Sequence, residues 1–216
     1  MLTFPSVPRI EDARVLPGKY HLFYKYDGQQ IRVEWSKKRG FHKWGSKGEM
    51  RAENDQSYGA AFALFRQELG PHLEDVFARQ KHLRQNIENA TIFAEYWGDQ
   101  SIAGMHEPGD RMRVTLIDLA VGRTDLNSLV SPEDFLALTV YFPKDLVAQF
   151  LGKHEVDGPL VQAIRANKWR APLKEGVLAK ALRGNQTHMI KIKTDEWKER
   201  VRALCAPGEA EKILIS

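Results

Sequence analysis

The chain has 216 residues, enough for one large domain or two small ones, and its 43% hydrophobic and 28% charged content is that of a globular protein with a real core. No stretch approaches the roughly 20 apolar residues of a membrane span, and the opening MLTFPSVPRIED lacks the charged start and apolar run of a secretory signal. Its one cysteine, Cys205, has no internal partner, so a reducing, cytoplasmic setting is expected; a net charge of +4 admits a phosphate or nucleic-acid partner without demanding one.

Tyr20–Tyr26 and Ile31–Trp35 are the first strand-like runs, rich in β-branched and aromatic residues. Asp27-Gly28 between them is a strong short-range signal of a hairpin turn, which makes Lys25 an exposed strand residue on local evidence. The next segment, Ser36–Arg51, sets Lys37, Lys38, Arg39, Lys43, Lys47 and Arg51 against one acid, Glu49. Phe41, His42 and Trp44 lie between those charges and suit base stacking, so the segment reads as a phosphate-contacting surface or as a solvated loop.

SYGAAFALFRQELG predicts a helix from a Ser57 cap to Gly70, with Phe62, Phe65 and Leu69 spaced to face a core, and PHLEDVFARQKHLRQ predicts a second. Strands are expected at Thr91–Trp97, Arg113–Leu119, Gly176–Leu182 and Met189–Lys193. Between and after them, SPEDFLAL has Ser131 as N-cap with Pro132 at the first helical position, DGPLVQAIRANKW reads as helical, and TDEWKERVRALC has Thr194 as cap with Trp197, Val201 and Leu204 on one face. Strand and helix do not alternate strictly. The pattern predicts an α+β fold of mostly antiparallel sheets flanked by helices, as a single domain over residues 1–216.

Five short motifs stand in order along the chain: KYDG from Lys25, FAEYWG from Phe93, VTLIDLAVG from Val114, KEGVLAK from Lys174 and MIKIKT from Met189. Each alone is common. Together and in this order they resemble the nucleotidyltransferase motifs of ATP-dependent polynucleotide ligases and mRNA capping enzymes, an ATP-grasp-like ligase domain, and the resemblance spans nearly the whole chain. It implies that Lys25 attacks the α-phosphorus of ATP and carries AMP as a phosphoramidate. Free lysine has a pKa near 10.4, so such a nucleophile needs help, and Lys191 and Lys193 are expected to lower its pKa by their charge. An arrangement with both lysines on the phosphates is expected to need a bend in their strand.

The resemblance further implies that Glu175 holds a catalytic Mg²⁺ (or Mn²⁺) through water, and that Glu95 binds the ribose or a second metal. Asp27 and Gly28 let the backbone approach the nucleotide, and Arg32 reaches the ribose or the nucleic-acid terminus, or else faces solvent as an ordinary strand arginine. Many relatives carry an aromatic where this chain has Ile117, so adenine is expected to be sandwiched without π-stacking. About twenty residues follow IKIKT, which leaves no room for the C-terminal OB domain of DNA ligases and capping enzymes. The expectation is therefore an ATP-dependent RNA ligase of the nick-sealing, phage-type branch, represented by its adenylyltransferase domain. It would join 5′-phosphate to 3′-hydroxyl ends of nucleic acid, RNA before DNA, with Lys37, Arg39, Lys43 and Lys47 on the backbone and a partner domain or protein possible in trans. A minimal DNA ligase and a non-catalytic module that binds nucleic-acid ends are the alternatives.

Overall fold

A computed structural model describes residues 1–79, 87–101, 109–122, 129–170 and 172–215. Two antiparallel sheets form its frame. The first has the order β7-β1-β8-β9, from β1 (Lys19–Lys25), β7 (Phe150–Glu155), β8 (Gly176–Arg183) and β9 (Gln186–Lys193). The second has the order β4-β3-β2-β5-β6, from β2 (Gly28–Ser36), β3 (Gly40–Ser46), β4 (Met50–Arg51), β5 (Asn89–Trp97) and β6 (Arg113–Val121). The α+β class and all six expected strands are present.

The expected β1–β2 hairpin is not. β1 pairs with β7 and β8, whereas β2 pairs with β3 and β5, so Asp27-Gly28 is the point where the chain crosses from one sheet to the other. Gly28 is there for closeness rather than for a turn: a Cβ on it would meet the Tyr96 carbonyl oxygen at 2.5 Å. The basic segment is not a loop either. Its residues build β3 and β4, and Phe41 and Trp44 are buried in the core against Phe65 and Phe62, where no base can stack on them.

Helices α1 (Gly59–Leu64) and α2 (Gly70–Arg79) are joined by a π turn at Phe65–Leu69, making one continuous run where the sequence suggested two helices broken at Gly70. Pro71 has no N–H to give, and the wider turn, with Gly70 N–H donating to Phe65 O, absorbs that gap. Ser57 does not cap α1: the N-cap position is Tyr58, with no side-chain capping bond, and Asp55 accepts from Ser57 and Tyr58 N–H in the turn before it. Residues 80–85 of the expected second helix lie outside the described residues. Ser131 caps α3 (Pro132–Thr139), Asp157 caps α4 (Gly158–Arg165) and Thr194 caps α5 (Asp195–Leu204), each side chain accepting an N–H of the first turn. A last helix, α6 (Pro207–Ile215), packs Ala210 and Leu214 onto Trp197 and Val201 of α5, while Leu204 is exposed.

The largest core lies between the five-stranded sheet and α1–α3, and a second lies between the four-stranded sheet and α4. A third, smaller cluster joins both sheets: Leu2 and Phe4 from the N-terminal segment, Phe93 and Ala120 from β5 and β6, and Met189 from β9, with Ile117 and Leu178 against it. A cavity opens over this junction. Among the described residues no helix is long and apolar enough to cross a membrane.

Candidate active site

A cavity of about 290 Å³ is lined by Lys25, Asp27, Gly28, Lys47, Glu95, Ile117, Glu175, Lys180, Lys191 and Lys193, among others. Strand register brings the distant motifs together. Lys25 at the end of β1 lies opposite Gly176 on β8, and Gly176 lies opposite Lys193 on β9, so the lysines flank the start of β8 where Glu175 sits. Only glycine fits at 176, because a Cβ would meet the Ile192 carbonyl oxygen at 2.0 Å. Glu95 is set across from Gln30 on the other sheet. Lys191 and Lys193 need no bend to share the cavity: two positions apart on a strand, they point to the same face.

Lys25 Nζ donates to Glu175 Oε2 at 2.8 Å, and the other oxygen of Glu175 lies 3.3 Å from Lys193 Nζ, so one carboxylate bridges two amines. Burial works to lower the Lys25 pKa, but Glu175, then Glu95 and Asp27, outweigh it and hold the amine above the ordinary lysine value. The sequence expectation was the opposite, with Lys191 and Lys193 as the governing charges. Here the acids govern, and the amine is kept charged. Those two lysines are themselves pushed down to about 8, first by burial and then by the mutual repulsion of the cluster, which includes Lys47.

Their hydrogen bonds go to the end of α6. Lys191 Nζ donates to Ile215 O at 3.0 Å, Lys193 Nζ to Ile213 O at 3.2 Å, and Lys193 Nζ also sits 4.3 Å from the centre of the Trp197 ring. These are carbonyls that a helix leaves without intrahelical partners, and they carry the negative end of its dipole. Neither α6 nor Trp197 was anticipated at the site. No sequence signal pointed to α6.

Glu95 is pushed up to about 8, mainly by burial, with Glu175 and Asp27 adding to the effect. Such a carboxylate lacks enough positive charge nearby to stay ionised, and a divalent cation would supply it. Among the described residues no group of three or more His, Cys, Asp or Glu is arranged to hold a metal. Glu95 and Glu175 line one cavity, and a pair of carboxylates suits an ion of the Mg²⁺ type, which keeps several waters among its ligands.

Lys180, the last residue of KEGVLAK, ties the two sheets. Its ammonium donates to Ile117 O at 2.7 Å and Asp118 Oδ2 at 2.9 Å, from β8 to β6. Phe93 and Ala94 pair with Asp118 and Leu116, so Ile117 is the extra residue of a β-bulge, which turns it toward the cavity.

Four predicted residues lie elsewhere. Arg32 does not line the cavity; it is buried on β2, and its guanidinium donates to Leu2 O at 3.1 Å and Thr3 Oγ1 at 2.6 Å. Lys43 pairs with Glu34 at 2.7 Å, and Lys37 lies 3.7 Å from Glu88; both are exposed, as is Arg39 in the β2–β3 connection. Lys47, grouped with them by sequence, lines the cavity instead.

No family model matches the chain, and no curated protein does. Solved structures do. The RNA ligase of Naegleria gruberi with PPi has a TM-score of 0.56 at 13% identity, and a point mutant of it with AMP and Mn has 0.58 at 13%. Another mutant, with ATP and Mn, has 0.56 at 12%. Each match covers 84% of this chain and 51% of the other. The fold is that of an RNA ligase nucleotidyltransferase domain. The chain spans about half the length of those ligases.

Proposed function

We propose that this chain is the adenylyltransferase part of an ATP-dependent RNA ligase of the nick-sealing, phage-type branch, acting in the cytoplasm. The carrying observation is the convergence of Lys25, Glu175 and Lys193, one carboxylate between two amines, beside Glu95 in one cavity. Lys25 Nζ attacks the α-phosphorus of ATP; an N–P bond forms, the bond to the pyrophosphate oxygen breaks, and the amine loses a proton. Lys191 and Lys193 neutralise the phosphates, and Glu175 holds the amine in line until its charge is given up. Glu95 and Glu175 would hold a Mg²⁺ or Mn²⁺ ion, which would supply positive charge that favours the neutral form of the lysine. AMP then passes to a 5′-phosphate end, and a 3′-hydroxyl displaces it to form the phosphodiester. Exposed Lys37, Arg39 and Lys43 serve the nucleic-acid backbone without reading sequence. A further domain or partner in trans contributes to the later steps, as the length of the Naegleria ligases suggests.

The test is incubation with α-labelled ATP, and in parallel GTP, with Mg²⁺, followed by denaturation. Label on the polypeptide from ATP, and sealing of an RNA nick ahead of the matching DNA nick, are expected. No label from either nucleotide overturns the reading in favour of an end-binding module, and preference for the DNA nick moves it to the minimal DNA ligase. Lys47→Ala is expected to slow labelling roughly tenfold or more, the size of a lost charged hydrogen bond, whereas Lys43→Ala slows sealing only. Rates of labelling and sealing measured separately on the two variants check this.

A further inference from the structure

A second cavity, an open groove of about 880 Å³, adjoins the first, and Tyr24, Tyr26, Asp27 and Ala148 line both. One wall of it carries a row of rings. Tyr24 and Tyr26, which flank Lys25 in sequence, have ring centres 4.9 Å apart; Tyr26 and Trp97 follow at 4.8 Å, and the Arg113 guanidinium lies 5.5 Å from the centre of the Trp97 ring. Sheet register sets the row: Trp97 lies across from Gly28 on one side and from Arg113 on the other. Val140 and Phe150, both exposed, add apolar surface, and Lys144 and Lys174 add charge. Two acids line the groove as well, Asp27, which is buried, and Asp145, which is exposed.

The polar atoms of the three rings are held by the chain itself. Tyr24 Oη accepts from Lys174 N–H at 2.7 Å, Tyr26 Oη accepts from Gln149 N–H at 3.4 Å, and Trp97 Nε1 donates to Thr115 Oγ1 at 2.9 Å. The rings are half-buried, so each keeps part of its apolar surface with its orientation already fixed. A ligand that settles on them costs little freedom in ordering them. Unpaired bases have flat faces that such rings accept whatever the sequence, and cations beside the rings meet the phosphates between the bases. Bases inside a duplex have both faces covered by their neighbours and make no such contact.

We propose that this groove binds an unpaired run of nucleotides next to the polynucleotide end that reacts at Lys25, with Tyr24, Tyr26 and Trp97 against the bases and Arg113, Lys144 and Lys174 on the phosphates. The inference rests on the ligase reading above and adds the form of the substrate to it: a strand unpaired beside its end, not continuous duplex. The residues shared by the two cavities favour a nucleic acid over a docked protein segment. A chain lying along the groove arrives at the wall of the Lys25 cavity, where the proposed reaction requires a polynucleotide end. The charge agrees, with three cations on the groove against one exposed acid. Lys37, Arg39 and Lys43 are left to the rest of the substrate.

The experiment measures binding of a fluorescent 5′-phosphorylated oligoribonucleotide as a single strand, annealed to its complement, and as an abasic ribose-phosphate strand of the same length, over a range of salt. The proteins are the wild type, Trp97→Leu, Trp97→Phe, and Arg113→Ala combined with Lys144→Ala, with thermal midpoints and labelling by α-labelled ATP recorded alongside. The wild type is expected to prefer the single strand to both other probes. Trp97→Leu is expected to weaken the single strand about fivefold or more, the size of one lost base–aromatic stack, and to leave the abasic strand unchanged. Trp97→Phe, which loses the same bond to Thr115, is expected to keep most of the affinity. The double variant is expected to weaken the single and abasic strands alike and to flatten their salt dependence. A wild type that binds the duplex or the abasic strand as tightly as the single strand overturns the inference. So does single-strand binding that no variant weakens, which leaves the groove to a protein partner, or an equal loss in Trp97→Leu and Trp97→Phe. In each case a wild type that takes label from ATP keeps the ligase reading; one that takes no label loses that reading, and delivery of an end to Lys25 with it.

Discussion

Lys25→Ala is expected to abolish covalent attachment of AMP, leaving denatured protein with background label only. The same loss is expected of Lys25→Arg, because a guanidinium stays protonated in proteins and has no free electron pair to attack with. The pair separates a chemical role from a charge role: if Arg kept any labelling that Ala lost, the nucleophile would be another group and Lys25 a phosphate contact. The pH dependence follows from the acids around the amine. Glu175 and Glu95 hold the Lys25 pKa above its ordinary value, so the neutral, attacking form is scarce at neutral pH and grows as pH rises. The initial labelling rate is accordingly expected to climb with pH through the neutral range. A rate that fell over that range would mean that deprotonation of Lys191 and Lys193, both near 8, outweighs deprotonation of the nucleophile.

The largest loss of stability is expected from Lys180→Met. Both partners of the Lys180–Asp118 pair are almost fully buried, and the ammonium also satisfies the bulge carbonyl of Ile117. Removing the cation leaves a carboxylate in a low-dielectric interior, a change that costs about 3–5 kcal/mol in comparable pairs. For a chain of this size that lowers the thermal midpoint on the order of 10 °C. The Phe23 and Phe135 rings lie 5.0 and 5.3 Å from the Lys180 ammonium, so the methionine would find apolar company. Lys180→Met combined with Asp118→Leu is therefore expected to recover most of the loss. A single variant within about 1 kcal/mol of wild type in urea unfolding would show that the two sheets are held together by packing alone.

The motif string was legible because chemistry restricts residue type. An amine, two carboxylates and two further amines sit in a recognisable order, and the sheet registers then carry Lys25, Gly176 and Lys193 side by side. The Asp27-Gly28 crossing was not legible. A turn signal measures local backbone preference, and nothing local says whether the next strand returns to the same sheet or enters another. β3 was hidden for a related reason: its buried Phe41 and Trp44 are three residues apart and share a core because a bulge at His42 shifts the register, so simple alternation does not reveal them. Arg32 and Phe4 owe their positions to contacts between the first four residues and β2 or β5. No periodicity within either segment encodes such a contact.

The oxygens that Lys191 and Lys193 hold at the tail of α6 already engage those amines in electrical terms. On the nucleotide-binding reading proposed above, a triphosphate that reaches those amines exchanges one set of acceptors for another. Its measured affinity is then a difference, and whatever steadies the helix weakens the ligand. Loosening the seam where Ala210 and Leu214 rest on Val201 would tighten nucleotide binding from outside the cavity, at the expense of the resting fold.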